Sequence, residues 1–268
     1  MTQSDINENL RYRLAQLERA AAADHYPSAE SISYIANLGI TRAFFMTDDR
    51  YSHGWFYPRY SGGGLHEPNL TKQLFSSLTS QSVFVDVGAH LGYFSIIAAL
   101  RAKAVFAIEP QEFRIGRIHR NIAANHLGNV TLMHAAVGEE TGFVQIPKVG
   151  APTTKVGDST NLVPMIRLDD YFSNTIKPTH IKIDTEGFEY QVLNGGQKLL
   201  QSRPVLYIEF HRGMERFGHR GEAMWDMLDG LGYQISVGNH RHGNTGFVDV
   251  ARDTLHHHEG AMLICQPR

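Results

Sequence analysis

The run Val83-Phe84-Val85-Asp86-Val87-Gly88-Ala89-His90-Leu91-Gly92-Tyr93 constrains this chain more than any other segment. A β-prone apolar stretch ends in an acid and then in two glycines four residues apart. With the helix-forming run Phe94-Ser95-Ile96-Ile97-Ala98-Ala99-Leu100 behind it, the segment reads as strand, tight turn and helix start. That is how a nucleotide-sized ligand site opens in an α/β protein. Glycine at 88 and 92 lets a ligand approach the backbone closely. A dinucleotide fingerprint needs glycine at the third position of this turn, where His90 stands, so a pyrophosphate cradle is not expected.

Asp86 at the strand end faces the crevice side and is placed to meet a cationic ligand. A second buried-type strand, Ala104-Val105-Phe106-Ala107-Ile108-Glu109-Pro110, closes on Glu109, 23 positions after Asp86. There βαβ units put the carboxylate that accepts from ribose hydroxyls. A glycine turn, a helix and a closing acid without a phosphate cradle suit an adenosine that carries no phosphates, which is S-adenosylmethionine. An NAD-dependent oxidoreductase, a competing class, fails on the glycine spacing.

Strands and helices then alternate. A helix over Pro68 to Leu78 feeds the strand at 83–87; a helix at 92–101, a strand at 104–108, a helix at 111–126 and a strand from Val130 to Ala135 follow. Further strands are expected at His180 to Asp184, Pro204 to His211, Tyr233 to Val237 and 260–265, with a helix from Met224 to Leu231. The pattern predicts a doubly wound α/β domain over 65–268, with Asp86, Glu109 and Ala136 converging at the carboxyl ends of its strands. Residues 1–64 form an extension, helical over 6–24 with Leu10, Leu14 and Leu17 on one stripe. That stripe suits docking on its own domain or a dimer contact. The aromatic, Gly-rich stretch from Tyr51 to Leu65 suits a loop or short strands over a pocket. Residues 147–162 lack periodicity and read as a lid or a surface excursion.

At 268 residues, 42% hydrophobic and 19% charged, the chain fits one large soluble domain. A net charge of -2 offers no general attraction to nucleic acid or anionic lipid. One cysteine, Cys265, can make no internal disulfide, and no signal peptide or long apolar run is seen, so the expected compartment is the cytoplasm. The histidine triplet His256-His257-His258 reads as a solvated turn.

Three blocks together resemble the FkbM family of S-adenosylmethionine-dependent O-methyltransferases: Asp86 to Tyr93; Glu109-Pro110 with Asn121-Ile122 and Asn125; and Lys182-Ile183-Asp184-Thr185-Glu186-Gly187-Phe188-Glu189 ahead of Arg203-Pro204 and Ile208-Glu209. Leu168-Asp169-Asp170-Tyr171 also looks like the family's pattern, and the likeness runs over residues 65–211. One departure is His90, where the family commonly has Asn. The resemblance implies a Rossmann-like class I methyltransferase: a seven-stranded, mostly parallel sheet with helices on both faces and its last strand, here 260–265, inserted antiparallel. It also implies that Asp86, Gly88, Ala89, His90, Gly92, Tyr93 and Glu109 hold S-adenosylmethionine, with Gln111 reaching the adenosine and Ala136 lining the adenine.

Methyl transfer from a sulfonium to a hydroxyl needs in-line alignment and a way to remove the hydroxyl proton. Asp184, Glu209 and His211 end neighbouring strands on the ligand side, with Glu186 in the following turn. Either His211 or Asp184 acts as a base alone, or Asp184 and Glu209, joined by His211, hold a hard divalent ion such as Mg2+. Glu189 reads as an acid charging the first turn of a helix, and His134 as a packed histidine. The expected function is O-methylation of a saccharide or secondary-metabolite hydroxyl, with no nucleic-acid or membrane partner and homo-oligomerisation left open. The alternative is a noncatalytic scaffold that keeps the fold, against which the presence of Asp86, Glu109 and Asp184 argues.

Overall fold

The computed structural model describes residues 34–38, 41–46, 64–147, 160–172, 176–218, 221–238, 246–258 and 260–268. The helix expected over 6–24, the aromatic stretch at 51–63, the excursion at 148–159 and residues 239–245 lie outside them. The chain divides into two compact units, Met1–Leu65 and His66–Arg268.

In the first unit, β1 (Tyr34–Leu38) pairs antiparallel with β2 (Thr41–Phe45), in register from Tyr34↔Phe45 to Leu38↔Thr41. The period of two buries Ala43 and Phe45 and leaves Arg42 and Phe44 exposed. This hairpin is not among the elements expected from the sequence.

The second unit opens with α1 (Pro68–Ser77), β3 (Val83–Val87), α2 (Tyr93–Ala99), β4 (Ala104–Glu109), α3 (Glu112–Ala124) and β5 (Val130–His134). Three strands outside the main sheet follow, β6 (Ala136–Val137), β7 (Gly142–Pro147) and β8 (Thr160–Ile166). Then come α4 (Leu168–Phe172), β9 (His180–Ile183), α5 (Glu189–Asn194), α6 (Gln197–Leu200) and β10 (Val205–Glu209). The unit closes with α7 (Gly221–Gly230), β11 (Tyr233–Gly238), β12 (Val248–Asp249) and β13 (Met262–Pro267).

The main sheet has the order β12-β11-β13-β10-β9-β3-β4-β5. Its central strands β10, β9, β3, β4 and β5 are parallel neighbours, while β13 inserts antiparallel between β10 and β11. Seven of these strands follow the expected topology, and β12, two residues long, adds an eighth at the outer edge. The strands buried on both faces are near-continuous apolar runs, as a parallel sheet requires. All of β9 and all of α2 are buried, and Phe84, Ile96, Ile97, Ile181 and Ile208 are fully excluded from water. Each such side chain contributes roughly 1.5–3 kcal/mol by leaving water.

Winding runs outward from β3 through β4 to β5 and then resumes on the other side of β3 at β9. With right-handed crossovers, that reversal puts helices on both faces and opens a crevice at the carboxyl ends of β3 and β9. The segment after β5 departs from a plain turn: β6, β8 and β7 form a separate three-stranded sheet, with β6 touching β4. The strands β7 and β8 flank the stretch read from sequence as irregular.

Candidate active site

Four strand ends build the crevice. On β3, Asp86 is buried, with Oδ2 accepting from Ser95 Oγ at 2.6 Å and Oδ1 lacking a hydrogen-bond partner. Its register partner on β9 is Lys182, also buried, so the sheet itself supplies a cation opposite Asp86. Burial raises the Asp86 carboxyl above its ordinary value against the pull of Lys182 and Ser95. The Lys182 ammonium lies 3.0 Å from Asp184 Oδ2 and 5.0 Å from the centre of the Phe94 ring. Burial pushes that ammonium down, but Asp184 and Asp86 outweigh it and raise it. Burial likewise pushes Asp184 up, and Lys182 above all holds it well below the usual carboxylate range.

The turn after β3 is tied down by protein groups. Gly88 and Ala89 donate their N–H groups to Ile108 O, and Gly92 donates to Ala89 O. Gly88 has φ +81°, and a Cβ there would stand 1.9 Å from Asp184 O; one at Gly92, φ +78°, would stand 3.0 Å from Ile118. Both glycines therefore have a packing reason beside any ligand: they let the turn nest against the end of β9 and against α3. His90 has φ +56°, a left-handed conformation that Asn and His tolerate better than most residues. That backbone explains how His can stand where Asn is common. Burial, then the charge of Arg114, hold the His90 imidazole well below its ordinary value.

Glu109 ends β4 fully buried. Its Oε2 accepts from His90 N at 2.8 Å, its Oε1 from Gln111 N at 2.9 Å, and Arg114 stands 3.5 Å from Oε1. Burial raises this carboxyl against Arg114 and the two backbone donors. Glu109 thus links the β3 turn to the start of α3; Oε1 also accepts from Arg114 Nη1, while Oε2, with one donor, has a second lone pair to offer. Tyr93 is buried, within 3.4 Å of Thr71 Oγ1 and edge-on to His66 and Phe94. Ala136 lies two residues beyond β5, in β6 beside β8, and not at the end of the third sheet strand itself. His134, expected to be packed, is exposed, with Nε2 3.1 Å from Pro110 O; as the last residue of an edge strand it has no sheet partner beyond it.

The ends of β9 and β10 carry an acid–histidine cluster. Gly187, φ +108°, has no Cβ to strike Gly213, so the loop after β9 packs against the loop after β10. Asp184, Glu186 and Glu189 are thereby brought to His211. Glu189 is wholly buried at the first position of α5, and its Oε1 accepts from Thr185 N, Gly187 N and His211 Nδ1, the last at 3.1 Å. It does charge a helix start, as expected, but it also fixes the imidazole. His211 Nε2 is 3.6 Å from Glu209 Oε1 and 3.7 Å from Glu186 Oε2. Burial lowers His211, yet the Glu189 hydrogen bond and charge, with Glu209 and Asp184, raise it to about 9. The ligand atoms of Asp184, Glu186 and His211 fall within 4.8 Å of one another, a grouping that has Glu186 where the sequence suggested Glu209. Lys182 and Glu189 are missed as functional candidates from sequence alone; the pairing of an apolar-run lysine with an acid two residues on is the one signal available for the first.

Residues 86–235, more than half of the chain, match the family described as the methyltransferase FkbM domain. Over 155 residues the chain is 27% identical to the hexuronic acid methyltransferase AglP of Haloferax volcanii, covering 56% of this chain and 64% of that protein. The chain thus spans less than two thirds of the length of that curated relative. Among solved structures it is similar to the methyltransferase FkbM from Methylobacillus flagellatus KT, at 21% identity, 71% of this chain, 47% of that one and TM-score 0.46. It is also similar to M. jannaschii TYW2 in complex with AdoMet, at 15% identity, 89% and 86% coverage and TM-score 0.46.

Proposed function

The chain belongs to the FkbM methyltransferase family, and from that premise we propose that it methylates a hydroxyl of a saccharide or hydroxylated natural product with S-adenosylmethionine as donor. The observation that carries the reading is the pair of buried acids on adjacent parallel strands. Asp86 keeps an oxygen without a hydrogen-bond partner, and Glu109 Oε2 has a lone pair beyond its one backbone donor. A buried acceptor left unmet in the protein suits a ligand that donates to it. Asp86, the backbone of 88–93, Glu109 and Gln111 would hold the cofactor, with Ala136 beside them. When bound, S-adenosylmethionine supplies a methyl group on a sulfonium sulfur.

The chain's own part is to align the acceptor and accept its proton. Asp184, held ionised by Lys182, is the proton acceptor in this reading. A carboxylate so strongly stabilised is a weak base, so alignment carries more of the rate than proton removal. His211 is fixed through Nδ1 by Glu189 and presents Nε2 toward Glu209 and Glu186, where it can contact an acceptor oxygen. The sugar-acid relative supports a carbohydrate acceptor.

Incubation with methyl-labelled S-adenosylmethionine and a panel of monosaccharides, uronates and polyketide alcohols tests this. Label in an alkali-stable methyl ether, lost in Asp184→Asn, is expected. Label found only on nitrogen or carbon, or none on any acceptor, would contradict O-methylation.

A further inference from the structure

The geometry points to a divalent-cation site formed by Asp184, Glu186 and His211, of the Mn2+ or Mg2+ class. It deepens the methyltransferase reading and rests on it only for its consequence, not for its existence.

The three side chains each bring one ligand atom into a space 4.8 Å across. Donors around one ion at 2.1–2.4 Å stand about 3.0–3.5 Å apart, so the cluster closes on an ion by small side-chain turns. Glu186, with its side chain 82% exposed, is free to make the largest of them. His211 Nε2 is 3.6–3.7 Å from two carboxylates, beyond hydrogen-bond length from either, while Nδ1 is claimed by Glu189. A buried carboxylate on one imidazole nitrogen, with the other aimed at acids, is the outer-sphere arrangement that orients metal-binding histidines. Independently, Glu189 Oε2 is buried beside the cluster with no hydrogen-bond partner. Four carboxylates, from Asp184, Glu186, Glu189 and Glu209, surround this imidazole, and Lys182 engages only one oxygen of Asp184. These acids outnumber Lys182 and the imidazole as counter-charges, and an ion that takes Nε2 would displace the ring proton there.

The two carboxylate oxygens suit Mn2+ and Mg2+, and the imidazole nitrogen tilts the set toward Mn2+. Neighbouring hydroxyls of a polyol are hard oxygen ligands of the same kind. An ion here would select acceptors bearing a vicinal diol and lower the pKa of the hydroxyl it binds.

The test is Mn2+ titration of chelator-stripped, folded protein without cofactor, read by loss of the free-ion paramagnetic resonance signal and repeated with Mg2+ as competitor. One equivalent is expected to bind. Glu186→Gln, an exposed change that leaves the fold intact, should weaken it about ten-fold or more, and Glu189→Gln by about 10–100-fold. Glu140→Gln, an exposed acid elsewhere, should change nothing. No stoichiometric Mn2+ binding, or affinity unchanged in Glu186→Gln, would overturn the site. S-adenosylhomocysteine binding measured on the same samples separates the readings: its loss counts against the methyltransferase, not the ion.

Discussion

Lys182 and Asp86 are register partners on adjacent parallel strands, both out of water, and the Lys182 ammonium reaches on to Asp184 at 3.0 Å. One buried cation therefore stands between the acid of the β3 end and the acid of the β9 end. It balances the charge on both sides of the winding reversal where the crevice opens.

Replacing Lys182 with Met should leave two carboxylates without their counter-charge. Breaking a buried pair in this way costs roughly 3–5 kcal/mol. Urea unfolding should also show Asp86→Asn/Lys182→Met losing less than the sum of the single changes, since the partners are in one network. Additive losses would mean that Lys182 does not serve Asp86.

Gly88→Ala and Gly92→Ala share a positive φ, which by itself costs about 1–3 kcal/mol. They differ in what the new Cβ meets: the Asp184 carbonyl oxygen at 1.9 Å for Gly88, the movable Ile118 side chain at 3.0 Å for Gly92. Gly88→Ala should be clearly the worse in thermal melts. Equal melting temperatures would contradict the nesting of the β3 turn on β9.

His180 begins β9 with its ring stacked on Tyr207 at 6.5 Å and Nδ1 2.8 Å from Thr179 Oγ1. Burial lowers its pKa, so the folded state binds its proton less readily than the unfolded chain. That contribution to stability is present above the ordinary histidine value and is lost as pH falls through the range below it. Denaturation midpoints across that window should flatten in His180→Phe. An unchanged slope would assign the acid sensitivity to other groups.

Cys265 lies fully buried in β13, and burial pushes its thiol well up. Its modification by an aromatic disulfide reagent should follow global unfolding in urea rather than local opening. Rapid labelling of the native protein would show the antiparallel insertion of β13 to be loose.

Much of the second unit is legible because β3, β4 and β10 are apolar runs bounded by turn residues, and because Asp86, Glu109, Asp184 and Glu209 stand at or next to the ends of β3, β4, β9 and β10. What escapes the sequence is pairing at a distance. Lys182 looks like an interruption of a strand until the register places Asp86 beside it. Glu189 looks like a helix-start acid, which it is, and only the packing of Gly187 on Gly213 carries it to His211. The strands β7 and β8 flank a turn-rich stretch and pair outside the main sheet, so their local pattern carries no sign of their partner.

Calorimetric titration of S-adenosylhomocysteine into the protein and into Asp86→Asn and Glu109→Gln tests the central claim most directly. Saturable binding that both variants lose, while remaining folded by circular dichroism, is the predicted result. Absence of binding by the folded wild-type chain, or binding that neither variant disturbs, would contradict the cofactor site drawn here.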